Sequence, residues 1–183
     1  MTFNINEMRS QLTLDGARPT QFYVQIQNPA NASGDVKLPF MCEAGSIPAS
    51  TIGEIQVPYF GRKIKVAGDR TYANWSVTII NDEDFLIRNA MEEWTNRINS
   101  FEGNLRTIGG ASPLLYKSEA LVTQMGKVGT PVRTYKFKGL FPVEVGQIDL
   151  SWESTDQIER FQVVFAYDSW MIDSGITGNA GGE

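Results

Sequence analysis

Apolar and polar side chains alternate residue by residue along much of this chain, and a period of two suits only extended strands with one dry and one wet face. Phe22, Val24 and Ile26 alternate with Tyr23, Gln25 and Gln27, and Trp75, Val77 and Ile79 with Asn74, Ser76 and Thr78. Tyr135 and Phe137 oppose Thr134, Lys136 and Lys138, and Phe161, Val163, Phe165 and Tyr167 form the last such series. A stretch through Phe40, Cys42 and Ala44 reads as a strand forming a hairpin with residues 22–26 across the turn-rich residues 28–35. Residues 117–125 add another strand. In residues 147–153, Ile148, Leu150 and Trp152 alternate with Gln147, Asp149, Ser151 and Glu153, which reads as a further one. The expectation is a mainly β chain of seven or eight strands.

One segment departs from this period. Asn81 and Asp82 suit a helix N-cap, with Glu83 and Asp84 in the first turn. Ile87, Met91, Trp94, Ile98 and Phe101 then recur at helical spacing, which predicts a helix of about 18 residues closed by Gly103 and lying on a sheet. Residues 47–71 are punctuated by Pro48, Gly53, Pro58, Gly61 and Gly68 and read as an extended loop with short extended pieces at 55–59 and 63–66. The domain is expected to span residues 1–172, with a flexible Gly-rich tail at 173–183.

Composition narrows the function. The chain has 183 residues and no histidine, which removes the commonest general base and metal ligand and every Ser-His or Cys-His nucleophile pair. One cysteine, Cys42, allows neither an internal disulfide nor a thiolate cage and reads as a small buried hydrophobe. Asp82, Glu83, Asp84, Glu92 and Glu93 sit where a helix N-terminus or a solvent face explains them, so no catalytic pair is read there. No Gly-rich phosphate loop occurs, and no enzyme or cofactor is expected. The longest apolar run, residues 163–167, is too short for a membrane span or a signal core, which predicts a soluble, unexported chain in a reducing compartment. A net charge of −5 argues against a protein that coats nucleic acid by bulk electrostatics. Charge is also segregated: residues 61–70 carry +3, residues 111–138 carry +4 and residues 139–183 carry −7. Complementary patches of this kind suit self-association.

The block Gly61-Arg62-Lys63-Ile64-Lys65-Val66-Ala67-Gly68-Asp69-Arg70-Thr71, followed by Trp75-Ser76-Val77-Thr78 and Asn81-Asp82-Glu83, resembles the tail tube proteins of contractile-tailed bacteriophages. Ala17-Arg18-Pro19, Gly139-Leu140-Phe141-Pro142 and Ile158-Glu159-Arg160-Phe161 fall in the same order, so the resemblance covers most of residues 15–170. It implies a β-sandwich or barrel-like subunit with one flanking helix, forming six-membered rings that stack into a tube. That tube would be the conduit for genome ejection inside a contractile sheath, in a virion tail assembled in the host cytoplasm. The implied partners are further copies of the chain, the sheath, baseplate, tail terminator and tape-measure proteins, and DNA passing without specific binding. A related tube subunit of a bacterial contractile injection or type VI secretion system, carrying protein effectors, is the alternative.

Three residue sets follow as expectations. Arg62, Lys63, Lys65, Asp69 and Arg70 contact an adjacent ring. Gln147, Asp149, Ser151 and Glu153, on the wet side of their strand, face the lumen, where an acidic or neutral wall would not retain phosphates. Ile87, Met91, Trp94, Ile98 and Phe101 form the core face of the helix.

Overall fold

The computed structural model describes residues 4–12, 16–106 and 108–180. Its strands form two antiparallel layers that share one long strand. In the first layer, β1 (Phe22–Ile26) pairs with β6 (Ser118–Met125) and β6 with the first part of β7 (Pro131–Val145), while β9 (Ser169–Ser174) lines the other edge of β7. In the second, the end of β7 pairs with β8 (Arg160–Ala166), β8 with β5 (Trp75–Ile80), and β5 with β2 (Cys42–Gly45). β3 (Ser50–Tyr59) and β4 (Arg62–Tyr72) pair only with each other.

Gly139-Leu140-Phe141-Pro142 is the corner at which β7 changes layers. Leu140 is the last residue opposite β6, and Phe141 the first opposite β8. Gly139 sits at φ 70°, and a Cβ there would run into the Asp168 carboxylate, which Lys117 Nζ holds at 2.7 Å. Only glycine reconciles that backbone with that neighbour.

The core lies between the layers. Trp75 from the second layer stacks on Phe137 from the first, with ring centroids 4.5 Å apart and planes 11° apart, and Phe165 closes on the same indole at 5.6 Å. Val24, Ile26, Val77, Ile79, Ala120, Val122, Phe161 and Val163 complete the inward faces. The alternation thus marks the buried side of β1, β5 and β8 correctly.

The longest helix, α3 (Leu86–Ile98), buries Ile87, Met91 and Trp94, and Ile98 packs at the core margin. Trp94 meets Phe165 at 6.3 Å and donates from Nε1 to the Tyr116 carbonyl at 2.8 Å. The helix has 13 residues and is shorter than its stripe suggests. Asp82 and Asp84 do not start it. Their carboxylates accept from the Glu83 and Leu86 backbone N–H groups and clasp Lys37 Nζ, which holds both below the ordinary carboxylate range. At the other end the chain turns extended at Asn99, so Phe101 falls outside the helix and is 74% exposed. The remaining helices are short: α1 (Ile5–Gln11), α2 (Leu38–Met41), α4 (Ile108–Ala111) and α5 (Pro113–Tyr116).

β1 and β2 are not a hairpin but lie at opposite ends of the strand order. The connector between them is tied to α3 instead. Asn28 Nδ2 donates to the Ala90 carbonyl at 2.8 Å, Arg97 donates to the Pro29 carbonyl at 2.7 Å, and Gly34 packs against Ile87. Cys42 packs against the core, and burial pushes its thiol up to about 11, which leaves it protonated and unreactive at neutral pH. At the C-terminus β9 runs through Asp173 and Ser174, so residues 173 and 174 belong to the sheet and not to a tail. Thr177 still donates to the Val132 carbonyl, and the end of the expected tail, residues 181–183, lies outside the described residues.

Candidate functional site

The segment expected as a loop at 47–71 is, from Ser50 to Tyr72, a two-stranded hairpin that pairs with no other strand of the sandwich. Ile55, Val57 and Tyr59 stand opposite Val66, Ile64 and Arg62, while Glu54, Gln56 and Pro58 stand opposite Ala67, Lys65 and Lys63. Side chains alternate between faces, so the first set makes an apolar face and the second a polar one. Ile55, Val57, Tyr59, Ile64 and Val66 are all exposed. Apart from half-buried Gly68, the same is true of every residue from 51 to 71.

The tip turns through Phe60 and Gly61 at φ 43° and 80°, the pattern of a type I′ hairpin turn. Asn or Gly is the ordinary occupant of the first position, whereas here a phenyl ring stands 91% exposed with Tyr59 packed edge-on at 4.6 Å. Near the base a bulge falls between Ile52 and Glu54, where Gly53 and Gly68 allow the two backbones to approach. Lys65 Nζ lies 2.9 Å from Glu54, an exposed pair of small worth that also holds the Glu54 carboxyl below its ordinary range. A lone hairpin is marginally stable in water, and an exposed apolar face of this kind is a candidate contact surface.

The five cations and anions expected at a subunit contact are strung along this element. Arg62 and Lys63 sit at the tip and pair with no carboxylate among the described residues, and Lys65 lies further along β4. Asp69 and Arg70 lie near the base, where Arg70 Nη1 donates to Ser50 Oγ at 3.1 Å. Pro58, Gly53 and Gly61 read as loop punctuation and mask this apolar face in the sequence. The alternation is nevertheless present at Ile55, Val57 and Tyr59 and again at Ile64 and Val66.

The second acidic candidate differs more. Residues 147–153 form no strand: the chain between β7 and β8 leaves the sheet as an irregular loop. Ile148 packs on the core margin, but Leu150 is 85% exposed and Trp152 fully so. Gln147, Asp149, Ser151 and Glu153 are therefore not the wet side of an anchored strand, because Leu150 and Trp152 on the other side are wet too. The loop closes on itself, with Gln147 Nε2 donating to Asp149 Oδ1 at 3.1 Å and the Glu153 N–H donating to Ser151 Oγ at 3.2 Å. Among the described residues, no group of three or more His, Cys, Asp or Glu side chains is placed to hold a metal ion, and no helix is long and apolar enough to cross a membrane.

Comparison with known proteins matches this architecture. Residues 17–173 match the model of the family described as phage tail tube protein. Tail tube protein gp19 of Enterobacteria phage T4 is 37% identical over 157 residues, covering 85% of this chain and 91% of that protein. The tail tube protein of Serratia phage KSP90 is 26% identical over 174 residues, covering 92% and 97%. Among solved structures, the sheath/tube terminator of an extracellular contractile injection system (PVC) in its extended state shares the fold at a TM-score of 0.63 and 12% identity, covering 87% of this chain and 97% of that one. The resemblance read from Gly61-Arg62-Lys63 to Thr71 is borne out along nearly the whole length, and the chain belongs to the phage tail tube protein family.

Proposed function

We infer that this chain is the repeating subunit of a phage tail's inner tube, assembled as six-membered rings stacked into a hollow conduit through which the genome leaves. Family membership supports the reading, but the observation that carries it is the free hairpin, an amphipathic element with no core of its own. In an isolated subunit its apolar face is a liability; against a second copy it becomes a contact. Stacked rings need just such a surface, because a heterologous contact that repeats without closing generates a filament. In this reading Arg62, Lys63, Lys65, Asp69 and Arg70 act at the contact between successive rings.

The surrounding partners follow from the same reading: a contractile sheath outside, a baseplate and a terminator at the ends, and a tape-measure protein within during assembly in the host cytoplasm. The tube does no chemistry of its own. A subunit of an injection system carrying protein effectors would share the fold. The phage reading is supported by a relative at 37% identity that is a phage tail tube protein. Electron microscopy of the purified protein tests the proposal. Sixfold rings and hollow tubes are the expected particles, and a monomer at every concentration would contradict it.

A further inference from the structure

The second layer of the sandwich carries different chemistry at its two ends. At one end β4 runs directly into β5: Tyr72 lies 5.8 Å from Tyr167, and Tyr167 Oη donates to the Ala73 carbonyl at 2.7 Å, which fixes the base of the hairpin. At the other end β5 leaves through Asn81, whose N–H donates to the Glu159 carbonyl at 2.8 Å and whose Nδ2 donates to Glu159 Oε1 at 3.0 Å. Gly146 donates to the Gln162 carbonyl beside it. The 147–159 loop therefore stands at the end of the sheet opposite the hairpin, separated from it by the length of β5.

The two ends are complementary. The hairpin offers exposed aromatic and aliphatic side chains with Arg62 and Lys63, unpaired among the described residues, at its tip. The loop offers exposed Leu150 and Trp152 among Asp149, Glu153, Asp156 and Glu159, with no cation between residues 147 and 159. Asp149, Glu153 and Asp156 form no ion pair among the described residues. A fully exposed Trp152 contributes nothing to the fold, whereas tryptophan beside arginine and tyrosine is the composition of an interface hot spot, and an indole face is the preferred seat for a guanidinium.

We propose that the tip of the β3–β4 hairpin of one subunit docks onto the 147–159 loop of a second copy in the next ring, with Arg62 and Lys63 against Asp149 and Glu153 and with Trp152 as the apolar anchor. The inference rests on the reading of the hairpin as the contact between rings and adds its acceptor. Subunits stacked in one orientation present the hairpin end of one to the loop end of the next, a head-to-tail contact that repeats indefinitely. An eleven-residue strand reaches roughly 35 Å, far enough to leave its own sheet and meet a neighbour. Asp149 and Glu153 then belong to the ring-to-ring contact and not to the lumen wall.

Charge reversal tests the pairing in the full-length protein. Arg62→Glu with Lys63→Glu, and separately Asp149→Lys with Glu153→Lys, are each expected to lower polymerisation by about tenfold or more, since like charges then face each other. Combining all four substitutions is expected to restore tubes. Thermal unfolding of every variant should match the parent, and Trp152→Ala should weaken assembly without any charge change. If the hairpin pair blocks tubes while the loop pair assembles normally, the acceptor lies elsewhere, although the hairpin reading survives. If the hairpin pair assembles normally, both fail. A loop variant that forms normal tubes but a phage that ejects DNA abnormally would return Asp149 and Glu153 to the lumen and overturn the proposal, as would four-fold variants that unfold normally and do not recover.

Discussion

Replacing Trp94 with alanine is expected to destabilise the isolated subunit by about 3–5 kcal/mol, as truncation of a large core aromatic does. Trp94 has no exposed surface, packs on Phe165 between the two layers and spends its only donor on the Tyr116 carbonyl. Truncation leaves a cavity that α3 cannot collapse into. The connector holds the helix at Ala90 and Arg97, and Arg88 ties it to the Gly146 carbonyl at 3.2 Å. The Tyr116 carbonyl also loses its indole donor, which adds to the cost. Urea unfolding followed by far-ultraviolet circular dichroism reads the change. A midpoint equal to that of the parent would mean that α3 is not seated on the sandwich as described.

The largest functional effect is expected from excising the hairpin. Joining Ser50 to Tyr72 through an Asn-Gly turn removes residues 51–71, and these two residues already face each other across the ladder, so a two-residue turn spans the gap. Because the removed segment is exposed almost throughout, thermal unfolding of the shortened subunit should stay close to that of the parent. Assembly should not survive. At concentrations where the full chain sediments as polymer, the shortened chain is expected to remain in the supernatant. Normal tubes from it would show that rings stack through another surface.

The core around Trp94 and the β3–β4 hairpin are unequally legible in the sequence. The core strands were readable because burial on one face imposes a period of two, and Trp75, Val77, Ile79, Phe161, Val163 and Phe165 all obey it. The core stripe of α3 was readable for the same reason, up to Ile98. Phe101 misled because apolar spacing continues past the point where the backbone leaves the helix. Pairing partners were not readable: alternation says which side of a strand is dry and nothing about its neighbour, so β1 and β2 looked like a hairpin. The Gln147–Glu153 stretch failed differently. Its apolar members Leu150 and Trp152 alternate as in a strand but are exposed, so the periodicity there does not record burial within the subunit. The hairpin carries the same signature at Ile55, Val57 and Tyr59. In both segments, apolar side chains that the monomer leaves in water are the residues assigned here to contacts between copies.

A sixfold-averaged electron cryo-microscopy map of the assembled tube tests whether the β3–β4 hairpin joins successive rings. Continuous density is expected for the β3–β4 hairpin leaving its own ring and ending, with Phe60 buried, on a subunit of the adjacent ring. A map in which the hairpin stays within its own ring, with Phe60 in solvent and the rings joined by other surfaces, would contradict it.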